Sequence, residues 1–124
     1  MNPFVRAMWT NALRGIVTRA DGSIYRQGKT HLGTPTGGFC PLGVLCDIAA
    51  EHAVCKRDIV YGVYSYDGAR AELPESVIRW AELESHNPTT SAKNYLGDAW
   101  GIIGLNDMEN WSFGQIADQI EKDF

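Results

Sequence analysis

The chain lacks the features by which membrane proteins and most enzyme families are identified from sequence. No stretch approaches the ~20 apolar residues of a membrane span, and charged residues interrupt the N-terminal region, where a signal peptide would be apolar. It has no Walker loop, no Rossmann glycine fingerprint and no Gly-x-Ser-x-Gly elbow. We therefore expect a cytoplasmic protein that contacts no membrane and carries no cofactor.

The cysteine content and the net charge of the chain are also low. The three cysteines, Cys40, Cys46 and Cys55, form no CxxC pair and have no histidine at a zinc-finger interval, so no metal site is expected. Three thiols cannot all pair within one chain, and a reducing compartment is the default for such a protein. The 15 acidic and 11 basic residues give a formal charge of −4. This charge argues against the basic surface that DNA binding needs.

Apolar residues make up 44% of the 124 residues, which is enough for one globular domain over residues 1–124. The most apolar stretch, residues 37–52, predicts a loop followed by a buried central helix. Pro41 suits the first helical position, where a missing N–H costs nothing. Apolar residues then recur at three-and-four spacing, while Asp47 and Glu51 share another face.

Three further helices are predicted. The first runs from Pro3 to about Val17 and carries one apolar stripe. The second begins at Pro74 and fades by Ser85. The third follows Ser112, which forms a capping-box pattern with Gln115.

Strand signals are shorter. Residues 23–32 read as a short ribbon broken at Gly28, and residues 59–66 read as one β-branched and aromatic strand. Asp67-Gly68 is a strong hairpin turn, with a return strand over about residues 69–73. Residues 89–110 are expected to be mostly loop, with room for one short helix in 95–105. The predicted fold is α+β, a single small domain of about four helices with one or two short antiparallel β-hairpins.

One constellation suggests thiol chemistry. Cys40 lies at the predicted N-terminus of the central helix, where unpaired N–H groups and the helix dipole lower a thiol pKa. His31 is a candidate base, and Asp47, Asp107 or Asn106 could orient it. The alternative is that Cys40 is a small core residue.

A second constellation suggests phosphate binding. Basic side chains and a glycine pair lie just before the central helix, whose N-terminus could receive a phosphate. The candidate ligand-binding residues are Arg26, Lys29, His31, Gly37 and Gly38.

A third feature is a set of aromatic residues that could anchor a protein interface, because such side chains dominate binding hot spots. The alternative is that they fill the core, and for the strand residues the register decides which faces outward. The candidates are Tyr61, Tyr64, Tyr66, Trp100 and Trp111.

Four motifs together resemble a family of small uncharacterised proteins of tailed bacteriophages and prophages. They are FCxLGVLCD at 39–47, LPxxVxxWAxL at 73–83, LND at 105–107 and SFxxIAxxIE at 112–121. Family members often have two adjacent cysteines where this chain has Cys40-Pro41, which weakens a paired-thiol mechanism. The resemblance implies a phage context without assigning catalytic residues.

Three functional hypotheses follow. The first is a non-enzymatic accessory protein that binds a host protein during host takeover or counter-defence. The second is a nucleotide sponge that sequesters a host immune signal, and the third is a thiol-dependent hydrolase at Cys40. A second copy of the chain is a further expected partner, because short sheets leave edges that need cover.

Overall fold

The computed structural model describes residues 1–124. It contains five helices and four strands, in two separate two-stranded antiparallel sheets. The predicted α+β class is thereby confirmed. In chain order the elements are α1 Pro3–Leu13, α2 Pro41–Glu51, β1 Arg57–Val60, β2 Val63–Tyr66, α3 Glu75–Ala81, β3 Thr89–Lys93, β4 Ala99–Gly101, α4 Ile102–Asp107 and α5 Phe113–Asp123.

Helix α2 lies at the centre of the molecule. Every residue from Pro41 to Ala49 is buried, and α1, α3, α4 and β2 all pack against the helix. The Trp9 indole on α1 is fully buried and donates to Pro41 O over 2.8 Å. A helix with so little polar surface is stable only when neighbours cover it on most sides. None of the five helices could span a membrane.

The helix boundaries follow local chemistry. Asn2 caps α1 by accepting from two backbone N–H groups, and Ser112 and Gln115 form the predicted capping box of α5. Helix α1 stops at Leu13, earlier than predicted, and Gly15 adopts φ +74° just beyond it. A residue in that left-handed region ends a helix, and glycine adopts it at no steric cost.

The first hairpin differs from the prediction. The run 59–66 is not one strand, because the chain turns at Tyr61-Gly62, where φ is +51° and +78°. Both positive angles are those of a type I′ turn, which suits a two-residue hairpin. Asp67-Gly68 also turns the chain, but the return is a single bridge between Tyr66 and Ala69 instead of a strand.

Two other segments differ from expectation. The predicted ribbon over 23–32 is irregular and makes only isolated bridges, from Gln27 and Gly33 to Phe39. The predicted loop over 89–110 contains the β3–β4 hairpin and α4 instead. The short helix expected in this region is present but begins later, at Ile102.

The irregular segment crosses the N-terminal end of α2. A Cβ atom added to Gly43 would lie 1.6 Å from Leu32 O, so a side chain at this position would overlap the backbone. Cys40 N donates to the same oxygen over 3.1 Å. Residues 27–33 therefore form a lid over the first turn of α2.

Candidate functional site

A buried carboxylate, Asp47, lies in the middle of α2 and is only 1% exposed. The phenol groups of Tyr25 and Tyr66 each donate to it over 2.9 Å, and Arg57 Nη1 donates over 2.8 Å. A buried carboxylate is tolerated when its oxygens are fully hydrogen-bonded and its charge is paired. Asp47 meets both conditions, and its partners come from three different segments of the chain.

A second guanidinium, that of Arg19, approaches the other side of this carboxylate. Its Nε lies 3.5 Å from Asp47 Oδ2 and is buried without a hydrogen-bond partner. The group stacks over the rings of Phe39 and Tyr25, at 4.9 and 5.7 Å from their centroids. Arg57 stacks in the same way over Tyr64, at 4.9 Å. Aromatic faces thus hold both cations in place.

The electrostatics of the cluster keep its hydrogen bonds intact. Burial, followed by the charge of Asp47, raises the pKa of both Tyr25 and Tyr66 well above the usual value. Both phenols therefore remain protonated donors at neutral pH. The hydrogen bond to Asp47 raises the pKa of Arg57. One carboxylate faces two guanidinium groups, so the cluster of Arg19, Asp47 and Arg57 has a formal charge of +1.

This cluster borders an open cleft of about 760 Å³ at the C-terminal end of α2. The volume is in the range of small-molecule sites. Acidic and basic side chains both line the cleft, together with small apolar residues. The lining residues are Arg19, Ala20, Asp21, Ala50, Glu51, Ala53, Val54, Cys55, Lys56, Arg57 and Asp67.

The predicted thiol site does not have the expected properties. Cys40 is the N-cap of α2, as predicted, and its Sγ accepts from Gly43 N. It is only 3% exposed, however, and burial raises its pKa to about 11. At this helix start the loss of solvation outweighs the backbone hydrogen bonds that would lower the pKa of Cys40. The exposed His31 makes no hydrogen bond to Cys40.

The three residues proposed to orient His31 have other roles. Asp47 belongs to the cluster described above. Asp107 Oδ2 accepts from Thr30 N, and Asp107 Oδ1 accepts from Asn106 Nδ2. No side chain therefore positions His31 as a base. The geometry does not support catalysis by Cys40.

The fully buried Asn106 instead fixes the lid. Its amide donates to Gly28 O and accepts from Gln27, over 2.8 and 2.7 Å. With the bond from Thr30 N to Asp107, these contacts tie the LND motif to residues 27–30. Asn106 and Asp107 fall in the region that the sequence predicted to be mostly loop, whereas they belong to α4.

The predicted phosphate site is not assembled either. The first turn of α2 lies beneath the lid, so its N–H groups do not reach the surface. Arg26 donates to the carbonyl groups of Thr36 and Gly37. Lys29 is hydrogen-bonded to Asn110, and His31 projects separately at the surface.

The glycine pair has a packing role in the lid. A Cβ atom at Gly38 would lie 2.4 Å from Gln27 C, and one at Gly37 would lie 2.4 Å from Thr34 Oγ1. Gly38 allows the backbone of residues 27–28 to approach closely, and Gly37 leaves room for the Thr34 hydroxyl, which accepts from Gly37 N. These packing requirements, and not contact with phosphate, account for the Gly37-Gly38 sequence.

The candidate interface aromatics divide by exposure. Tyr61 is 96% exposed at the tip of the β1–β2 hairpin, whereas Tyr64 and Tyr66 are buried and unavailable to a partner. They point inward because the turn at Tyr61-Gly62 sets the register. Trp100 and Trp111 are partly buried against the core.

Sequence reasoning missed Arg19, Tyr25 and Arg57 as members of the Asp47 cluster. The available signal was Asp47 itself, a charged residue within an otherwise apolar helix. Such a residue needs buried partners, although the sequence does not say which. No group of three or more His, Cys, Asp or Glu residues is arranged to hold a metal ion.

Comparison with known proteins gives one match. The family model described as "Domain of unknown function (DUF8296)" matches residues 1–124. The chain belongs to the DUF8296 family. No curated protein and no solved structure matches it. Membership in the DUF8296 family covers the whole chain and assigns no activity.

Proposed function

We propose that this protein is a phage-encoded accessory protein that acts without catalysis, by binding a host protein. The phage context rests on the resemblance of the four sequence motifs. The binding role rests on one surface, the β1–β2 hairpin of residues 57–66. The buried, high-pKa thiol of Cys40 supports a non-enzymatic role over thiol-dependent hydrolysis.

The hairpin exposes apolar side chains. All four residues of β1 are exposed, and Ile59 and Tyr61 are 61% and 96% exposed. Val60 lies between them and is 36% exposed. Three consecutive exposed apolar residues at a hairpin tip form an anchor that a protein partner could cover.

The backbone of the hairpin also has one open edge. On β2, Tyr64 N donates to Gly33 O and Tyr66 N donates to Ala69 O, so the outer side of β2 is covered. The outer side of β1 has no backbone partner outside its hairpin. An unpaired strand edge can add a strand from another chain, with pockets for alternate side chains giving specificity.

The experiment is affinity capture from host lysate, followed by reconstitution with the purified candidate partner. Tyr61→Ala should reduce binding by about tenfold or more, as expected for a hot-spot aromatic. Tyr95→Ala is the matched control, because Tyr95 is 94% exposed near the tip of the other hairpin. Equal binding by the wild type and Tyr61→Ala would contradict the proposal.

The oligomeric state tests whether a second copy of this chain, instead of a host protein, occupies the β1–β2 hairpin. Light scattering coupled to size-exclusion chromatography would reveal a dimer of this chain. A dimer that Tyr61→Ala dissociates would assign the open edge to a second copy and overturn the host-protein proposal for this surface. A monomer that binds its host partner through Tyr61 would support it.

A further inference from the structure

We propose that the cleft beside Asp47 binds a small ligand through an oxyanion, a phosphate or carboxylate group, held between Arg19 and Arg57. This site lies at the opposite end of α2 from the phosphate site predicted from sequence. It does not depend on the host-protein proposal, which rests on the tip and edge of the β1–β2 hairpin.

Both arginines retain unused hydrogen-bond donors. A guanidinium has five N–H donors. Arg57 uses only Nη1, toward Asp47. Arg19 Nε has no hydrogen-bond partner, and the guanidinium makes ion contacts of 3.5 and 4.0 Å to Asp47 and Asp21. Its side chain is only 18% exposed, so bulk water can replace few of the missing contacts.

The acidic side chains of the cleft already have hydrogen-bond partners. Each accepts hydrogen bonds from the protein, which hold these carboxylates in place, and none of them accepts a hydrogen bond from Arg19 or Arg57. The bonds are from Ala20 N to Glu51, from Ser23 N and Oγ to Asp21, and from Lys56 N and Ser76 Oγ to Asp67. The free donors of the cleft therefore belong to cations.

The guanidinium groups of Arg19 and Arg57 are preorganised for binding. The stacks of Arg19 on Phe39 and of Arg57 on Tyr64 fix the two guanidinium planes, and Asp47 holds both groups at one place. Planar guanidinium groups suit oxyanions because they can donate two parallel hydrogen bonds. Little side-chain entropy would then be lost when a ligand binds.

The cleft lining carries equal numbers of cations and carboxylates, so the preference for an anion rests on the local arrangement beside Asp47. The cations are Arg19, Lys56 and Arg57, and the carboxylates are Asp21, Glu51 and Asp67. One buried carboxylate compensates one of the two arginines and leaves the other without a buried counter-charge. Lys56 adds a third cation to the lining, and its side chain is 81% exposed. A ligand oxyanion would accept hydrogen bonds from the two guanidinium groups, while the small side chains of Ala50, Ala53 and Val54 leave room for the rest of the ligand.

The test is a titration of the full chain, followed through the arginine Nε–H signals in ¹H–¹⁵N NMR spectra. The probes are inorganic phosphate and acetate, each compared with sodium chloride at the same ionic strength. Saturable shifts of the Arg19 and Arg57 signals with phosphate or acetate, without equal shifts with chloride, are expected. The probe that binds more tightly identifies the oxyanion. Shifts equal to those with chloride would overturn the proposal.

Variants separate the site from general charge effects. Lys56→Gln should weaken binding by about two- to fivefold, as expected for a surface charge pair, while Lys93→Gln outside the cleft should leave it unchanged. Equal weakening by the two variants would overturn the proposal. Arg57→Gln should weaken binding by about tenfold or more, because a hydrogen bond to a charged group is lost. If Arg57→Gln does not fold, the comparison of Lys56→Gln with Lys93→Gln still tests the proposal.

The hairpin variant keeps the two proposals distinct. Tyr61 lies outside the cleft, so Tyr61→Ala should leave phosphate or acetate binding unchanged. Loss of host-protein binding without loss of anion binding is the expected combination. Loss of anion binding in Tyr61→Ala would contradict the location of the site.

Discussion

The two ends of helix α2 differ in solvent access and in charge. At the N-terminal end, the lid of residues 27–33 covers Cys40 and Gly43, and no charged side chain enters the first turn. At the C-terminal end, Asp47 gathers two arginines beside an open cleft. Helix N-termini often bind anions, but here burial closes that end. Side chains from other segments instead place two guanidinium groups beside an open cleft at the opposite end.

The largest expected effect concerns the buried carboxylate. Asp47→Ala should lower the free energy of unfolding by about 3–5 kcal/mol, because it leaves two buried phenols unsatisfied and the arginines unpaired. Chemical denaturation would measure the loss. Asp58→Ala is the control, since Asp58 is an exposed carboxylate that should contribute less than about 0.5 kcal/mol. Equal stability of both variants would mean that Asp47 does not hold the cluster together.

The next prediction tests how tightly the lid packs on the N-terminal end of α2. Gly43→Ala should destabilise the fold by about 3 kcal/mol, because the new methyl group would overlap Leu32 O and displace the lid. Gly114→Ala is the matched control in the first turn of α5, where a Cβ would have only Ser112 Oγ within 4 Å, at 3.9 Å. That change should instead stabilise by about 0.5–1 kcal/mol. A neutral Gly43→Ala would show that the lid does not pack tightly there.

A third prediction concerns alkaline pH. Burial raises the pKa of Cys40 from 9.0 to about 11, so the unfolded chain releases this proton first as pH rises. The contribution of Cys40 is complete below about pH 9 and falls by about 1.4 kcal/mol per pH unit as pH rises to about 11. Tyr25 and Tyr66, whose pKa values burial also raises, change stability in the same direction above pH 10. Denaturation of the wild type and Cys40→Ala between pH 8 and 10.5 (roughly the range set by these pKa values) would measure the slope, which should be shallower in the variant.

The smallest expected effect is a difference in alkylation rate between Cys40 and Cys55, which lie at the two ends of α2. No change in stability is involved. Cys40 and Cys55 both have a pKa of about 11, so their thiolate fractions are similar. Cys55 lines the open cleft and is partly exposed, whereas Cys40 lies beneath the lid. Iodoacetamide should therefore modify Cys55 first, and peptide mass spectrometry would show the order. Faster modification of Cys40 would restore the case for a reactive thiol.

Local sequence signals predicted where three of the helices start, although α1 and α3 end earlier than predicted. Asn2 before Pro3, Pro41 at the start of α2 and the Ser112–Gln115 capping box each satisfy backbone groups within a few residues. Such contacts depend on short-range chemistry, so the sequence is enough to place them. The prediction of the first hairpin was wrong, because the chain turns at Tyr61-Gly62 as well as at Asp67-Gly68, and only the first of these turns is flanked by two paired strands.

Most of the predicted functional residues make packing or hydrogen-bonding contacts within the protein. Arg26, Lys29 and Gly38 hold the lid together, and Tyr64 and Tyr66 face the core. Sequence reasoning assumed that residues close in sequence before α2 would form one pocket. The lid instead directs their side chains to separate hydrogen bonds.

The sequence by itself determined the α+β class, the buried character of α2 and the capping of its neighbours, because periodicity and capping act over a few residues. The tertiary structure decided which end of α2 is open and what surrounds Asp47. Tyr25, Tyr66 and Arg57 lie 22, 19 and 10 residues from Asp47 in sequence. Their meeting depends on loop paths and strand register, which local propensities do not specify.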